Sequence, residues 1–297
     1  MIPGNITYIQ VDSLGEAWQA FQDAKEQGRE VYYLNGGTEI ISYARLNKIH
    51  PDVLIDISRL PELRRLETEQ NWQIYGAALT LNEVIEAKMF PLLERVATIT
   101  DHTVRNKLSL GGNIAGRLPY RETVLPFLVS DATVSLFGKE GLRHLPIKQV
   151  FSKRLALEGG EILVDLRVEA PMLSLPWAYI RKTRFGQSVD YPLVTLVLLD
   201  VGGTVPRFRC AISGAFAAPL RSSVIEETLH QYLSGPAARN ENLALDNTFI
   251  DQLINLCGTP LVQDHRASAE YRRALLHAAM EQGLTQLLQK KHKEGSE

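Results

Sequence analysis

Over Asp12–Gly28 (DSLGEAWQAFQDAKEQG) apolar residues fall at Leu14, Ala17, Phe21 and Ala24, the spacing of one helix face. Ser13 with Glu16 three residues on marks its N-terminus. The pattern then shortens. Val31–Leu34 (VYYL) is β-branched and aromatic, which predicts a strand running straight into the adjacent glycines Gly36 and Gly37. Further strands are expected at Asp52–Ile57 and Trp72–Leu79, the second followed by a helix because Thr80 and Glu83 stand at capping-box spacing. Helical spacing returns at Phe90–Ile99, and Glu122–Gly138 reads as a short helix and then a strand. In Glu161–Glu169 the residues Ile162, Val164, Leu166 and Val168 alternate with Leu163, Asp165, Arg167 and Glu169, the period of a half-buried strand. That places Leu163 on the polar face, where a core residue is not expected.

Two prolines and small residues break the pattern at Ala170–Pro176 and suggest a domain boundary. Beyond it, residues 177–184, 190–201 and 208–216 read as three strands, followed by helices at Ser223–Leu233, Asn247–Cys257 and Ala267–Gln289. Strands followed by helices predict an α+β layer. The apolar run Tyr191–Val201 is too short to cross a bilayer and reads as a buried strand. The last residues, KKHKEGSE, lack apolar periodicity and are expected to fray.

Composition narrows the function. With 297 residues, 45% of them hydrophobic and 22% charged, the chain is long enough for two folded domains. The formal charge of -2 gives no general attraction for nucleic acid or an anionic membrane. Two cysteines, Cys210 and Cys257, exclude a disulfide framework and a four-thiolate cluster within the chain, and predict buried thiols in a reducing compartment. The start lacks a basic stretch followed by an apolar one, so the sequence gives no signal peptide and a cytoplasmic protein is expected. Neither a GxGxxG turn nor a GxxxxGK[ST] loop is present, since Gly138-Lys139 is followed by Glu140. HExxH and GxSxG are also missing, and the seven histidines are scattered, so no metal ligand set stands out.

What remains is a second glycine pair. SLGGN (Ser109–Asn113) and NGGTE (Asn35–Glu39) both set adjacent glycines among hydroxyl and amide side chains. Such pairs let the backbone come close to another group, and their N–H groups can cradle phosphate oxygens with Ser or Thr hydroxyls as extra donors. Each pair alone reads first as a tight turn. Two together can clamp one ligand.

The ordered set YLNGGTEI, VRNKLSLGGNIA, VLPFLVSDA, GEILVDLRV and YIRKT, with Arg105-Asn106 before the second pair and Asp131-Ala132 after it, resembles a known family across nearly the whole chain. That family is the FAD-binding medium subunit, or FAD domain, of xanthine dehydrogenase and the other molybdenum hydroxylases. The resemblance implies an α+β fold: an FAD-binding domain of the vanillyl-alcohol-oxidase (PCMH) type over residues 1–172, in subdomains of about 1–58 and 59–172 that hold the cofactor between them. A C-terminal domain with a three-stranded antiparallel sheet and helices would follow over 173–290, and a disordered tail over 291–297. It also implies FAD as cofactor, an iron–sulfur small subunit and a molybdopterin large subunit as partners, and an electron acceptor such as NAD.

Position by position, Tyr33, Leu34, Asn35, Gly36, Gly37, Thr38, Glu39 and Ile40 match the first FAD-contacting segment, and Ser109, Leu110, Gly111, Gly112 and Asn113 match the second, whose amides and hydroxyl would hold the pyrophosphate. Ile99, Leu163 and Lys182 fall on further cofactor positions of the family, although Lys182 is equally explained as a solvated residue of RKTR. After Asn113 the sequence departs from the family's NASPAxD: Gly116, Leu118 and Glu122 replace Asn, Ser and Asp. Glu122 keeps the carboxylate one methylene longer, and a surface ion pair with Arg121 is the competing reading. A flavin-free assembly subunit and a stand-alone flavin oxidoreductase stay open beside the electron-transfer subunit.

Overall fold

The computed structural model of the chain describes residues 4–118, 120–183, 191–203, 205–235 and 246–294. Arg184 and Asp190, the ends of two expected strands, and residues 295–297 of the expected tail lie outside them. The chain divides into two units. The first gathers Met1–Met89, Thr100–Leu118 and Asp131–Ala170; the second gathers Phe90–Ile99, Pro119–Ser130 and Pro171–Glu297.

In the first unit, strands Thr7–Gln10 and Val31–Leu34 both pair in parallel with Val53–Asp56. The crossover between the first two is the helix Leu14–Glu26, capped by Ser13, whose hydroxyl accepts the Glu16 N–H at 3.2 Å. Its buried Leu14, Ala17 and Ala24 pack with Val31, Val53 and Ile55. A second sheet is antiparallel, in the order Leu66–Glu69, Trp72–Gly76, Ile162–Glu169, Thr133–Gly138, Gly141–Pro146. Ile162 and Val164 of its central strand join the same apolar core as Ile55, so the two sheets of this unit share one interior.

That central strand departs from the half-buried pattern: Leu163 is 6% exposed and Asp165 0%. Both faces are covered. Asp165 is tolerated inside because Arg167 contacts it at 3.0 Å, Arg65 approaches at 3.7 Å, and the Ser135 hydroxyl donates to it. A buried carboxylate looks like a solvent-facing one until its partners, brought in from other strands, are known.

The second unit is built on an antiparallel sheet ordered Leu220–Arg221, Phe208–Ser213, Val194–Asp200, Trp177–Lys182. The three long strands are those expected; the two-residue edge strand is additional. Every residue of Val194–Asp200 is buried. Helices Ser223–Ser234, Asn247–Leu256 and Ala269–Glu294 supply the other layer, with Leu276, Ala279, Met280 and Leu284 of the last one in the core beside Leu196 and Leu198. This helix runs on to Glu294, past the Gln289 end expected from apolar periodicity. Two segments placed by sequence in the N-terminal domain pack into this unit instead. Helices Pro91–Ala97 and Val124–Val129 contact each other and its sheet, and their Leu92, Leu93, Val96, Leu125 and Phe127 are fully buried. Among the described residues, no helix is long and apolar enough to cross a membrane.

Candidate cofactor-binding site

The strand Val31–Leu34 ends at Asn35, and the chain turns through Gly36 and Gly37 into the helix Thr38–Arg45. Gly37 is the N-cap in the left-handed region, φ 71°, where a side chain is strained. Gly36 answers a different demand: a Cβ there would lie 1.9 Å from the Lys107 carbonyl oxygen and 3.3 Å from the Ser109 nitrogen. The first glycine segment therefore lies directly against the backbone leading into the second. Among the described residues, no acceptor takes the backbone N–H of Gly36, Gly37, Thr38, Glu39 or Ile40. Five successive donors at a helix N-terminus form a ready anion cradle.

The side chains of this segment are used differently. Asn35 Nδ2 donates to the Ala77 carbonyl at 3.1 Å. Tyr33 stacks on Phe21 with centroids 5.0 Å apart and donates to the Gly160 carbonyl at 2.8 Å, and burial pushes its phenol pKa well up. The Thr38 carbonyl accepts from the Ser42 hydroxyl, and Leu34 and Ile40 are half-buried. Glu39 accepts the backbone N–H of Arg117 at 2.7 Å and of Leu118 at 3.1 Å.

Ser109–Asn113 is the start of a short helix, Leu110–Ala115, with Ser109 as its N-cap. The family match sets these amides against a pyrophosphate, but they are already spent. Leu110 N–H donates to Leu79 O and Gly111 N–H to Ala77 O, both at 2.8 Å; Asn113 N–H donates to Ser109 O at 2.9 Å. Gly112 N–H donates to the Ser109 hydroxyl at 3.2 Å. The cap and two carbonyls from outside the turn satisfy these donors, which a glycine count cannot reveal. Ala77 O thus accepts from Asn35 and Gly111 together and ties the two segments. The Arg105-Asn106 pair braces the approach: Arg105 Nε donates to Asn82 Oδ1 at 2.9 Å, and Asn82 Nδ2 donates to Asn106 Oδ1 at 2.6 Å. Leu163 belongs to this unit, on the strand against which the short helix packs.

Ile99, Glu122 and Lys182 belong to the second unit. Ile99 is fully buried and its carbonyl accepts from Arg181 Nη2 at 3.2 Å. Lys182 is half-buried, and its Nζ donates to Gln282 Oε1 at 2.8 Å in an exposed contact. The surface-pair reading of Arg121 and Glu122 is wrong: they are 5% and 0% exposed. Among the described residues, neither Glu122 oxygen has a partner of hydrogen-bond geometry. Burial pushes its carboxyl pKa up to about 7, opposed by its own backbone N–H and by the charges of Arg181, Arg266 and Arg121. Arg181 lies in the YIRKT stretch, which does not single it out, yet it donates to the Ile99 carbonyl and its charge opposes the rise of the Glu122 pKa.

Among the described residues, the first unit offers a row of open backbone donors of the kind that suits phosphate oxygens, and the second holds a buried carboxylate without a hydrogen-bond partner. The model of the FAD binding domain in molybdopterin dehydrogenase matches residues 4–171, and the chain belongs to that family. Its cofactor is FAD, and it is the medium subunit of an oxidoreductase. The chain is 28% identical over 282 residues to the carbon monoxide dehydrogenase medium chain of Hydrogenophaga pseudoflava, covering 93% of this chain and 94% of that one. It is 24% identical over 283 residues to the glyceraldehyde dehydrogenase medium chain of Sulfolobus acidocaldarius, covering 93% and 96%. Among solved structures, a carbon monoxide dehydrogenase from Hydrogenophaga pseudoflava, lacking the Mo-pyranopterin moiety, is similar with a TM-score of 0.83 and 25% identity, over 98% of this chain and 99% of that one. Quinoline 2-oxidoreductase from Pseudomonas putida 86 shares the fold, with a TM-score of 0.80 at 22% identity over 98% and 99%.

Proposed function

We propose that this chain is the electron-transfer flavoprotein of a cytoplasmic molybdenum hydroxylase, passing electrons between iron–sulfur clusters in a small partner subunit and an acceptor such as NAD. A large molybdopterin subunit would oxidise the organic substrate. The observation that carries the reading is the row of unpartnered amides from Gly36 to Ile40 in a chain whose own sulfur cannot hold a cluster. Cys210 and Cys257 are both buried, and burial raises both thiol pKa values, that of Cys257 to about 11. Any cluster must therefore come from another chain.

In this reading the Gly36–Ile40 amides take the phosphates, and Glu122, whose oxygens have no partner among the described residues, is a proposed contact by its match to a family position. Leu163, Ile99 and Lys182 are proposed as further contacts, by their match to family positions. The bound FAD supplies the two-electron to one-electron chemistry, and the protein supplies position and field. No residue is assigned as general acid or base.

The test is to isolate the chain with whatever co-purifies through an affinity tag, reduce the complex anaerobically with NADH, and follow flavin absorbance together with the electron paramagnetic resonance of the clusters. Bleaching of the flavin with reduction of clusters in a separate chain is expected. Oxidation of an organic substrate by the chain alone, with no cluster-bearing partner, would overturn the proposal in favour of a stand-alone flavin oxidoreductase.

A further inference from the structure

Glu39 sits in the first turn of the helix whose N-terminal amides are unpartnered, and its match to the family's first segment marked it as a cofactor contact. Both oxygens of its carboxylate are engaged elsewhere. One oxygen accepts from Arg117 N–H at 2.7 Å and the other from Leu118 N–H at 3.1 Å, across 78 and 79 residues of chain. The segment closes tightly over it: a Cβ on Gly116 would lie 2.8 Å from Glu39 Oε2 and 2.9 Å from the Gly112 carbonyl oxygen. Glycine at 116, one of the departures from the family pattern, is what lets the backbone come this near. The same segment is held from a second side, where the Arg117 guanidinium lies 5.7 Å from the centroid of the Tyr32 ring on the strand that delivers the first glycine pair.

An anion at a helix N-terminus normally competes with any phosphate for the same positive end. Here the carboxylate is turned away and paired with two amides of another segment, which leaves the Gly36–Ile40 donors for the ligand. We propose that Glu39 is a positioning residue, a latch whose grip on Arg117 and Leu118 holds the cradle in its phosphate-binding geometry. This rests on the cradle's assignment to FAD made above.

The experiment uses the full chain. Hydrogen exchange without flavin reads the latch itself, and titration with FAD, followed by quenching of flavin fluorescence, reads its consequence. In Glu39→Ala the amides of Arg117 and Leu118 should exchange faster, and FAD should bind about tenfold more weakly, as loss of two charge-assisted hydrogen bonds implies. Glu39→Gln keeps one acceptor oxygen and should recover most of the loss, to within about threefold of wild type. Gly116→Ala opens the latch from the other side with Glu39 intact and should reproduce the alanine phenotype, which covers the case in which Glu39→Ala fails to fold. Weakened FAD binding with unchanged exchange at 117 and 118 would make Glu39 a direct ligand and overturn the proposal. Faster exchange with unchanged affinity would make the contact merely structural and overturn it equally. A wild-type chain that takes up no FAD although those amides are protected would instead refute the cradle's assignment, and the latch's role with it.

Discussion

The two glycine segments look interchangeable in sequence and are opposite in bonding. Among the described residues, the amides of Asn35–Glu39 from Gly36 onward find no acceptor, while each oxygen of the carboxylate that follows, Glu39, accepts a backbone N–H. In Ser109–Asn113 every amide from Leu110 onward is satisfied, while the carboxylate downstream, Glu122, is buried with both oxygens unpartnered. The difference has two sources, distant carbonyls and the N-cap: Leu79 and Ala77 accept the Leu110 and Gly111 amides of the second segment, and nothing among the described residues does the same for the first. Ser109 has a hydroxyl that turns back onto Gly112; Gly37, in the same role, has no side chain and leaves the helix end open. A bonding cap and two distant carbonyls together close one helix end, and the end that has neither is left for a ligand.

The sharpest break of this contrast is at the glycines themselves. Gly36→Ala drives a Cβ into the Lys107 carbonyl, backbone against backbone, and should cost about 3 kcal/mol in urea unfolding together with flavin retention. Gly112→Ala meets only the Ser109 hydroxyl, at 2.7 Å, and should cost no more than about 1 kcal/mol. Equal losses at the two positions would refute the distinction between an open and a closed segment.

The orphaned carboxylate predicts an effect of similar size with a definite sign. The folded chain keeps the Glu122 proton up to about pH 7, whereas an unfolded glutamate releases it near 4.5. The folded state thus binds more protons between those values, and its stability falls as pH rises through that window, by about 3 kcal/mol in all. Glu122→Gln removes the titration. In the flavin-free protein its melting temperature should exceed that of wild type above pH 7 and match it below pH 4.5; a constant difference across the range would count against the buried proton.

Smaller effects separate brace from cap. Ser109→Ala should cost about 1 kcal/mol of stability, since it removes the side-chain acceptor at that helix start, and Ser109→Thr should restore it. Asn35→Ala removes one neutral hydrogen bond to Ala77 and should cost slightly less, about 0.5–1 kcal/mol, with Gly111 still holding the same carbonyl. Thermal melts of the two single variants and the double variant check both, and a departure from additivity is expected because the two segments lie against each other and share the Ala77 carbonyl.

Local signals were legible where a single segment carries its own reason. Ser13 and Thr80 cap helices as their spacing predicts, Val31–Leu34 is the strand expected, and Val194–Asp200 is a buried strand because it lies in a long, mostly apolar run. The glycine pairs and their neighbours were also enough to identify the family, because a motif held in order along one chain needs no geometry to be seen. What sequence could not tell was which donors and charges are already used. Leu163 and Asp165 looked like residues of a solvent face, Glu122 like half of a surface pair, Glu39 like a ligand, and SLGGN like the open cradle. For three of these, partners far away in the chain decided the outcome: Arg65 for Asp165, Arg117 and Leu118 for Glu39, Ala77 and Leu79 for the second glycine segment. Residue type and spacing determine what a group can bond to. Only the tertiary structure decides whether that capacity is spent inside the protein or left for the cofactor, because desolvation and pairing depend on which distant atoms folding brings within about 3 Å.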